Sequence, residues 1–595
     1  MSNINNIGDY LMIHTRDHKT AYIFDPWEYL GPKRRKLLDN SWAGLFREHI
    51  LAELPVSRLA SYYTEDFGRP TKELYAALGA LILQQMHDLS DEETVSQFSF
   101  NLQWHYALDI PGESDEAKYL SAKTLWTLRQ RVMEKGLDRE LFNTTTQVLS
   151  RVFEVDTSKQ RIDSVHIRSN MKRLGRICIF SQSIHNFLVN LKRHYKSLFD
   201  TLEPELVERY LTKKALGCFS MVKPSESAKT LDTVSKDLCS LVQRFRDNED
   251  VTSMNTFGVL LRVLMEQCEG TGSNGSSPEV KLKKPEEIPS SSLQNPSDPD
   301  AGYSSHKGQG YHVQVMETYC DCDDEKKREQ ALNLITHVEI ESADKSDAHA
   351  LVPALESTLK RGLGPEGVLA DSLYGSDENH EKAREMGVDL VAPTMGKEKK
   401  KSLSLADFPQ DGKGNIIACP RGHAPVKRRQ AKKNVSIGFD SVHCNVCPFQ
   451  SQCPVHKGKK LHYLRFTLKA LRVAGRRAEE PTDEFKDKYR WRWRAGVEAT
   501  FSEMANRTGI KKLRVRGRRA VGLTARLKAI GVNLFRAARV KRAREALEAA
   551  PGGVLSGVGS FIYAVKEQFL SRWRRLGNIF VLADQMRANL LKIAA

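Results

Sequence analysis

The sequence predicts an α/β protein, with a mixed-sheet domain that carries helical and cysteine-rich insertions and follows an all-helical segment. Three observations carry that prediction. Apolar residues recur at helical spacing through residues 41–155. At 161–167 the pattern changes to RIDSVHI, where Ile162, Val165 and Ile167 read as a short buried strand. Strand-like runs then follow at 310–318 (GYHVQVMET), 335–342 (ITHVEIES) and 367–375 (GVLADSLYG), succeeded by a helix (DENHEKAREMG) and another strand (VDLVAP). Alternation of this kind lays helices over a sheet.

Taken in order, residues 1–40 read as an N-terminal arm. Within 41–155, Ser90-Asp-Glu-Glu93 forms a capping box, after which Val95, Phe98 and Leu102 recur on one helical face. A second helix opens near Ser121, with Leu125, Leu128 and Val132 on one side and Arg129 and Arg131 beside them. Short helices with a basic edge suit a helix-turn-helix DNA-binding module, and equally a helical scaffold that only packs. The α/β domain is expected over 156–548. It is interrupted by a helical insertion at 183–266, a Gly/Ser/Pro-rich linker or mobile loop at 269–301 and a Cys-rich insertion at 400–465. A helical tail is expected at 549–595.

The 595 residues divide into about three or four units at roughly 150 residues each. Lys and Arg number 91 against 74 Asp and Glu, a formal charge of +17. That excess points to a polyanion, because each cation that neutralises a phosphate releases counterions. No run of about 18 apolar residues is present to span a membrane. The opening MSNINNIGDYLM lacks the charged and apolar regions of a signal peptide. The expectation is a cytoplasmic protein that meets nucleic acid rather than a membrane. Residues 504–544 contain 14 Lys or Arg and no acid. A one-sign stretch repels itself unless phosphate is near, so this segment is expected to touch DNA, with Lys511, Lys512, Arg514, Arg516, Arg518 and Arg519 as its candidates.

Ten cysteines in a chain this long do not make a disulfide scaffold. Four cluster: Cys419, then Cys444-x2-Cys447-x5-Cys453, in a segment with few apolar residues. That spacing fits structural Zn²⁺, with His423, His443 and His456 as substitute ligands and a reduced, metal-free knuckle as the alternative. The flanking basic residues, Lys427 to Lys433 and Lys457 to Lys460, either touch DNA backbone or form a solvated loop.

Three carboxylates stand out by context: Asp163 on a strand, Asp371 at the end of GVLAD, and Glu498 in RWRAGVEATFSEM. Open α/β sheets build sites beyond their strand ends. Taken singly, either aspartate also suits a turn cap, and Glu498 suits a pair with Arg494 one turn earlier.

The blocks RIDSVHIRSN, GVLADSLYGSDENHEKAREMGVDLVAPT and YRWRWRAGVEATFSEM resemble those of bacterial insertion-sequence transposases with a ribonuclease-H-like fold and a DDE triad. The third resembles the Tyr-(2)-Arg-(3)-Glu-(6)-Lys motif. The helical segment at 41–155 is also similar to the N-terminal domain of many such enzymes. The resemblance covers most of the chain outside 183–300 and the last fifty residues. It implies that Asp163, Asp371 and Glu498 hold two Mg²⁺ (or Mn²⁺) ions for phosphoryl transfer. It further implies cleavage and strand transfer at terminal inverted repeats, with double-stranded end and target DNA as partners and a homodimer in the synaptic complex. The setting implied is the bacterial nucleoid.

Arg494 keeps its motif spacing to Glu498. Trp491 occupies the Tyr position with Tyr489 two residues earlier, and Ala505 stands where the Lys belongs. Arg494 is expected either to hold a phosphate or to pair with Glu498, and Glu503 competes weakly for the third carboxylate. Two other readings remain: a nuclease of the same fold, and a catalytically silent, transposase-derived DNA-binding protein.

Overall fold

The computed structural model describes residues 12–20, 22–64, 69–211, 219, 221–269, 280–396, 403–412 and 414–548. The expected tail at 549–595, the first eleven residues and Cys218 lie outside them.

The N-terminal segment is helical as expected. Helix α1 (Leu74–Met86) is apolar almost all round and is correspondingly buried. Helix α2 (Asp91–Phe100) starts at the Ser90–Glu93 capping box, in which each side chain satisfies the other residue's backbone N–H. Helix α3 (Ala122–Glu134) buries Leu125, Leu128 and Val132, and α4 (Leu137–Val152) follows. The basic edge of α3 is spent on packing: Arg129 pairs with Asp91, and the Arg131 guanidinium lies over the Tyr63 ring. For these two arginines the scaffold reading prevails over base reading.

The main sheet is mixed. Strand β1 (Lys159–Arg168) pairs antiparallel with β3 (Gly308–Thr318), placing Asp163 opposite Val315 and Arg161 opposite Glu317. On its far side β3 pairs antiparallel with β4 (Ile335–Ser342), and the short β2 (Gly302–Ser304) pairs with the first residues of β3. On the other side of β1, β5 (Gly367–Leu369) runs parallel to it and β6 (Asp389–Val391) parallel to β5. Alternation then sorts side chains by face. Ile162 and Met316 join the core under α8 (Leu351–Lys360) and α9 (Asp377–Glu385). Val165, Ile167, Val313 and Val315 face α11 (Trp491–Thr508) and α12 (Arg518–Glu548).

The N-terminal helices and the sheet share one hydrophobic core, because α12 packs against α1, α4 and β4 at once. The helical segment at 41–155 is therefore not a separately packed unit. Burial takes Arg526, Lys528 and Arg536 out of the run expected to touch DNA. Most of α12 is buried, and its cations meet acids from other elements: Arg526 with Asp138 and Glu339, Lys528 with Asp88, Arg536 with Glu317 and Glu503. These three cations are neutralised through tertiary contacts, which the local sequence does not reveal. Lys511, Lys512, Arg514, Arg516, Arg518 and Arg519 stay exposed. Three of these donate to backbone carbonyls: Arg514 to Asp88, Arg516 to Asn170 and Arg518 to Ile340.

Between β1 and β2, helices α5 (Arg176–His194), α6 (Ser227–Phe245) and α7 (Asn255–Gln267) build a core of their own around Phe187, Leu238 and Leu260. The linker expected at 269–301 is corrected over its second part. Residues 270–279 lie outside the described set, but 280–301 are anchored. Fully buried Asp298 accepts from the Tyr311 hydroxyl (2.5 Å), the Gly517 N–H (3.0 Å) and the Ser169 hydroxyl, and Asn295 donates to the Lys172 carbonyl. Side-chain hydrogen bonds hold a stretch whose Pro/Ser composition reads as loose. The Cys-rich insertion folds as a three-stranded antiparallel sheet, β7 (Lys427–Ala431), β8 (Asn434–Asp440) and β9 (Leu461–Thr467). Its small core includes Phe408, Val435, Ile437, Phe439 and Leu464.

Candidate active site

Asp163 sits midway along β1, its side chain largely buried on the face covered by α11. Asp371 follows two residues after β5, where its carboxylate accepts from the Leu373 N–H (2.9 Å) and turns the chain. The rest of that block secures the turn. The Tyr374 hydroxyl is buried and donates to Gln314 (2.6 Å), whose amide in turn donates to Asp347 (2.7 Å). A Cβ at Gly375 would overlap the Pro393 carbonyl. Ser376 caps α9, and Asn379 ties that helix to the Ala348 and Tyr374 carbonyls. Asp377 is clamped by Arg472 and Arg476. Tyr374, Ser376, Asp377 and Asn379 of ADSLYGSDEN thus secure the segment that follows Asp371.

One guanidinium nitrogen joins the two aspartates. Arg494 Nη2 lies 2.9 Å from Asp163 Oδ2 and 3.7 Å from Asp371 Oδ2. Arg494 thus pairs with both aspartates. Burial pushes the Asp163 carboxyl up to about 6, against the opposing pull of Arg494, and burial likewise raises Asp371. Asp347, absent from the expected set, lies close enough for its charge to raise both.

Glu498 stands one turn beyond Arg494 on α11, exposed. It is adjacent to the aspartate pair along the helix but not in contact with it. Glu503, on the same helix, pairs with Arg536 (2.8 Å) and Arg507 (3.5 Å).

What holds α11 over β1 is a buried ionic node that the sequence reading missed. Glu317, wholly buried, pairs with Arg161 (2.7 Å) and Arg536 (2.8 Å) and accepts from the Thr500 hydroxyl at 2.8 Å. Arg161 also donates to the Trp493 carbonyl on α11. A Cβ at Gly496 would overlap the Arg161 guanidinium, so the glycine permits this close approach. The displaced Tyr489 still reaches the site. The helical run breaks before α11 at Arg490, which is left-handed (φ +32°), and the charges of Arg494, Asp371 and Asp163 all act on the half-buried Tyr489 hydroxyl.

Residues 418–538 match the family model described as Transposase DDE domain, and residues 37–131 match that described as Transposase domain (DUF772). Two separate stretches of the chain are thus similar to transposase families, the later one in the chain to a DDE domain. No curated protein matches it. The first match covers Glu498, Arg494 and the four clustered cysteines. A transposase of this group is an enzyme that acts on DNA, and its DDE domain implies use of a divalent metal.

Among the described residues no three His, Cys, Asp or Glu side chains are grouped to hold a metal ion, and none of the helices is long and apolar enough to cross a membrane. The aspartate pair nevertheless fits a hard cation. Its oxygens already share one positive group, the Arg494 nitrogen, and carboxylate oxygen is the donor that Mg²⁺ prefers. In the Cys-rich insertion, Cys419, Cys444, Cys447 and Cys453 line one small cavity. Burial, with the neighbouring thiols, pushes the Cys444 thiol up to about 11. Of the histidines, buried His462 lines that cavity, whereas His423, His443 and His456 do not.

Proposed function

We propose that this transposase cleaves DNA at the terminal inverted repeats of a bacterial insertion sequence and joins the ends to target DNA, with Asp163, Asp371 and Glu498 as its metal-binding triad. The carrying observation is that Arg494, one turn from Glu498, bridges Asp163 from β1 and Asp371 from beyond β5. Three distant segments thus converge on one point. The strand order, with β3 antiparallel between β1 and β4 and β5 and β6 parallel beyond β1, supports the ribonuclease-H-like reading.

Bound at these carboxylates, Mg²⁺ or Mn²⁺ supplies activation of the attacking oxygen and neutralisation of the leaving one. Asp163 and Asp371 would be the paired ligands, and Glu498 would complete the set from α11. Arg494 holds the two aspartates together when they carry charge, and is positioned to meet a phosphate once they are otherwise neutralised. The node at Glu317 keeps α11 in register with β1 throughout. The four-cysteine cavity would hold a structural Zn²⁺ through thiolates. A homodimer is the proposed synaptic assembly, working at the nucleoid.

The test separates chemistry from binding. Asp163→Asn, Asp371→Asn and Glu498→Gln each keep the side chain's shape, so cleavage of the element's ends should fall by orders of magnitude while end-binding persists. Normal cleavage by Glu498→Gln would remove Glu498 from the triad. Triad-independent binding with no cleavage by the unaltered protein would instead favour the silent DNA-binding reading.

A further inference from the structure

Beside the exposed cations at 511–519, the Cys-rich insertion carries a second concentration of positive charge. Residues 412–478 contain 15 Lys or Arg and a single acid, Asp440. Asp440 is itself occupied in capping the short helix at Ser441–Asn445. Four of the cations are used internally: Arg472 and Arg476 clamp Asp377, Arg477 donates to the Met395 carbonyl and Arg428 donates to the Asn415 side-chain oxygen. None of the described basic residues of the β7–β9 sheet pairs with a described acid.

The register of this sheet sorts its residues onto two unlike faces. Val435, Ile437, Phe439 and Leu464 point into the core. On the other face Lys427 lies opposite Gly438, Arg429 opposite Ser436, Ser436 opposite Arg465, and Gly438 opposite Tyr463. Strand β7 is an edge strand exposed at every residue, and Arg465 is exposed as well. The Arg465 guanidinium stands 5.7 Å from the centre of the Tyr463 ring. Lys432 and Lys433 form the tip of the β7–β8 hairpin, and Lys432 adopts φ +50°. Asn or Gly takes that conformation readily, and a lysine there costs backbone energy for the sake of its charge.

A charged edge strand also guards against sheet-to-sheet aggregation. One or two charges of either sign suffice for that. Here the only acid on the face among the described residues is Asp440, at the end of β8 and engaged in capping the next helix, and like charges on neighbouring strands oppose each other unless a polyanion lies across them.

We infer that the open face of the Cys-rich sheet, built from Lys427, Arg429, Arg465 and the Lys432–Lys433 tip, binds the phosphate backbone of duplex DNA. This rests on the reading that DNA is the substrate. It assigns that contact to the insertion, outside the triad. Ammonium and guanidinium groups without paired base-reading geometry suit backbone contact, which positions DNA without reading its sequence.

The test uses the full chain and a random-sequence duplex. Replacing Lys427, Arg429 and Arg465 with Gln should lower the slope of log K against log salt by about 2.7, at roughly 0.9 for each phosphate that the protein no longer neutralises. The charge-keeping set Lys427→Arg, Arg429→Lys and Arg465→Lys should leave that slope in place. A fall below about 1 in the Gln set, or an equal fall in both sets, overturns the inference. So does unchanged duplex binding with weakened binding to single-stranded RNA, which would make the surface a site for another polyanion. Asp163→Asn, which tests the catalytic reading, should leave the salt slope unchanged, so the two readings fail separately.

Discussion

Removing the carboxylate of Glu317 should unseat the helix that carries Arg494 and Glu498. In the native protein this side chain is fully buried, bridges Arg161 and Arg536, and accepts from Thr500. Glu317→Ala leaves two buried guanidinium groups facing each other without a counter-charge and Thr500 without its acceptor. Breaking a buried ion pair from one side costs about 3–5 kcal/mol, and the second arginine places this case toward the upper end. Glu317→Gln keeps the volume and an acceptor oxygen and should cost less, because only the charge is lost. The difference is read by urea unfolding of each variant beside the unaltered protein. The sign with pH follows from the environment. The two guanidinium groups offset the cost of burial and hold the Glu317 carboxyl below its ordinary value. Its contribution is therefore present above the unfolded value of about 4.5 and is lost as pH falls through the lower folded value. The Gln variant should show a correspondingly smaller loss in acid. A destabilisation under about 1 kcal/mol by Glu317→Ala would refute the argument that this node secures α11.

Three further outcomes follow from the same contacts. Glu503→Gln should retain cleavage while losing stability, since its carboxylate pairs with Arg536; a catalytically dead but fully stable Glu503→Gln would make it the third carboxylate. Asp163 titrates near 6 when folded against 3.8 when free, so the folded state holds a proton that the unfolded state has lost between these values. Stability from this group should decline as pH rises from about 4 to 6. Asp163→Asn should therefore gain thermal stability relative to the unaltered protein over that window, and a constant difference would contradict the assignment. Elemental analysis should find about one zinc per chain, lost with destabilisation when Cys444 and Cys447 become Ser; zinc-free protein would leave a reduced knuckle.

Much of this was legible in the sequence wherever local pattern and local structure coincide. The Ser90–Glu93 cap, the buried face of Leu125, Leu128 and Val132, and the strand containing Asp163 all obey short-range rules, and all fold as expected. The convergence of Asp163 and Asp371 was legible only through motif resemblance, because spacing does not bring residues 163 and 371 together. Three features escaped, each for a long-range reason. The acids that neutralise Arg526, Lys528 and Arg536 lie on other elements, from 33 to 440 positions away in sequence. Asp298 anchors a Pro/Ser stretch through partners at 169, 311 and 517. Glu317 looks like one more alternating strand residue until the register sets it beside Arg161.

The central claim is that Asp163, Asp371 and Glu498 perform strand transfer as well as cleavage. Its most direct measurement supplies the purified protein with Mg²⁺, a duplex ending in a pre-cleaved 3′-OH at the element's own inverted repeat, and a target plasmid. Covalently joined end–target products should form with the unaltered protein and vanish with Asp163→Asn, Asp371→Asn or Glu498→Gln, while each variant still binds the end. Hydrolysed ends without joined products would make the protein a nuclease of this fold, and joining that persists in the triad variants would contradict the account outright.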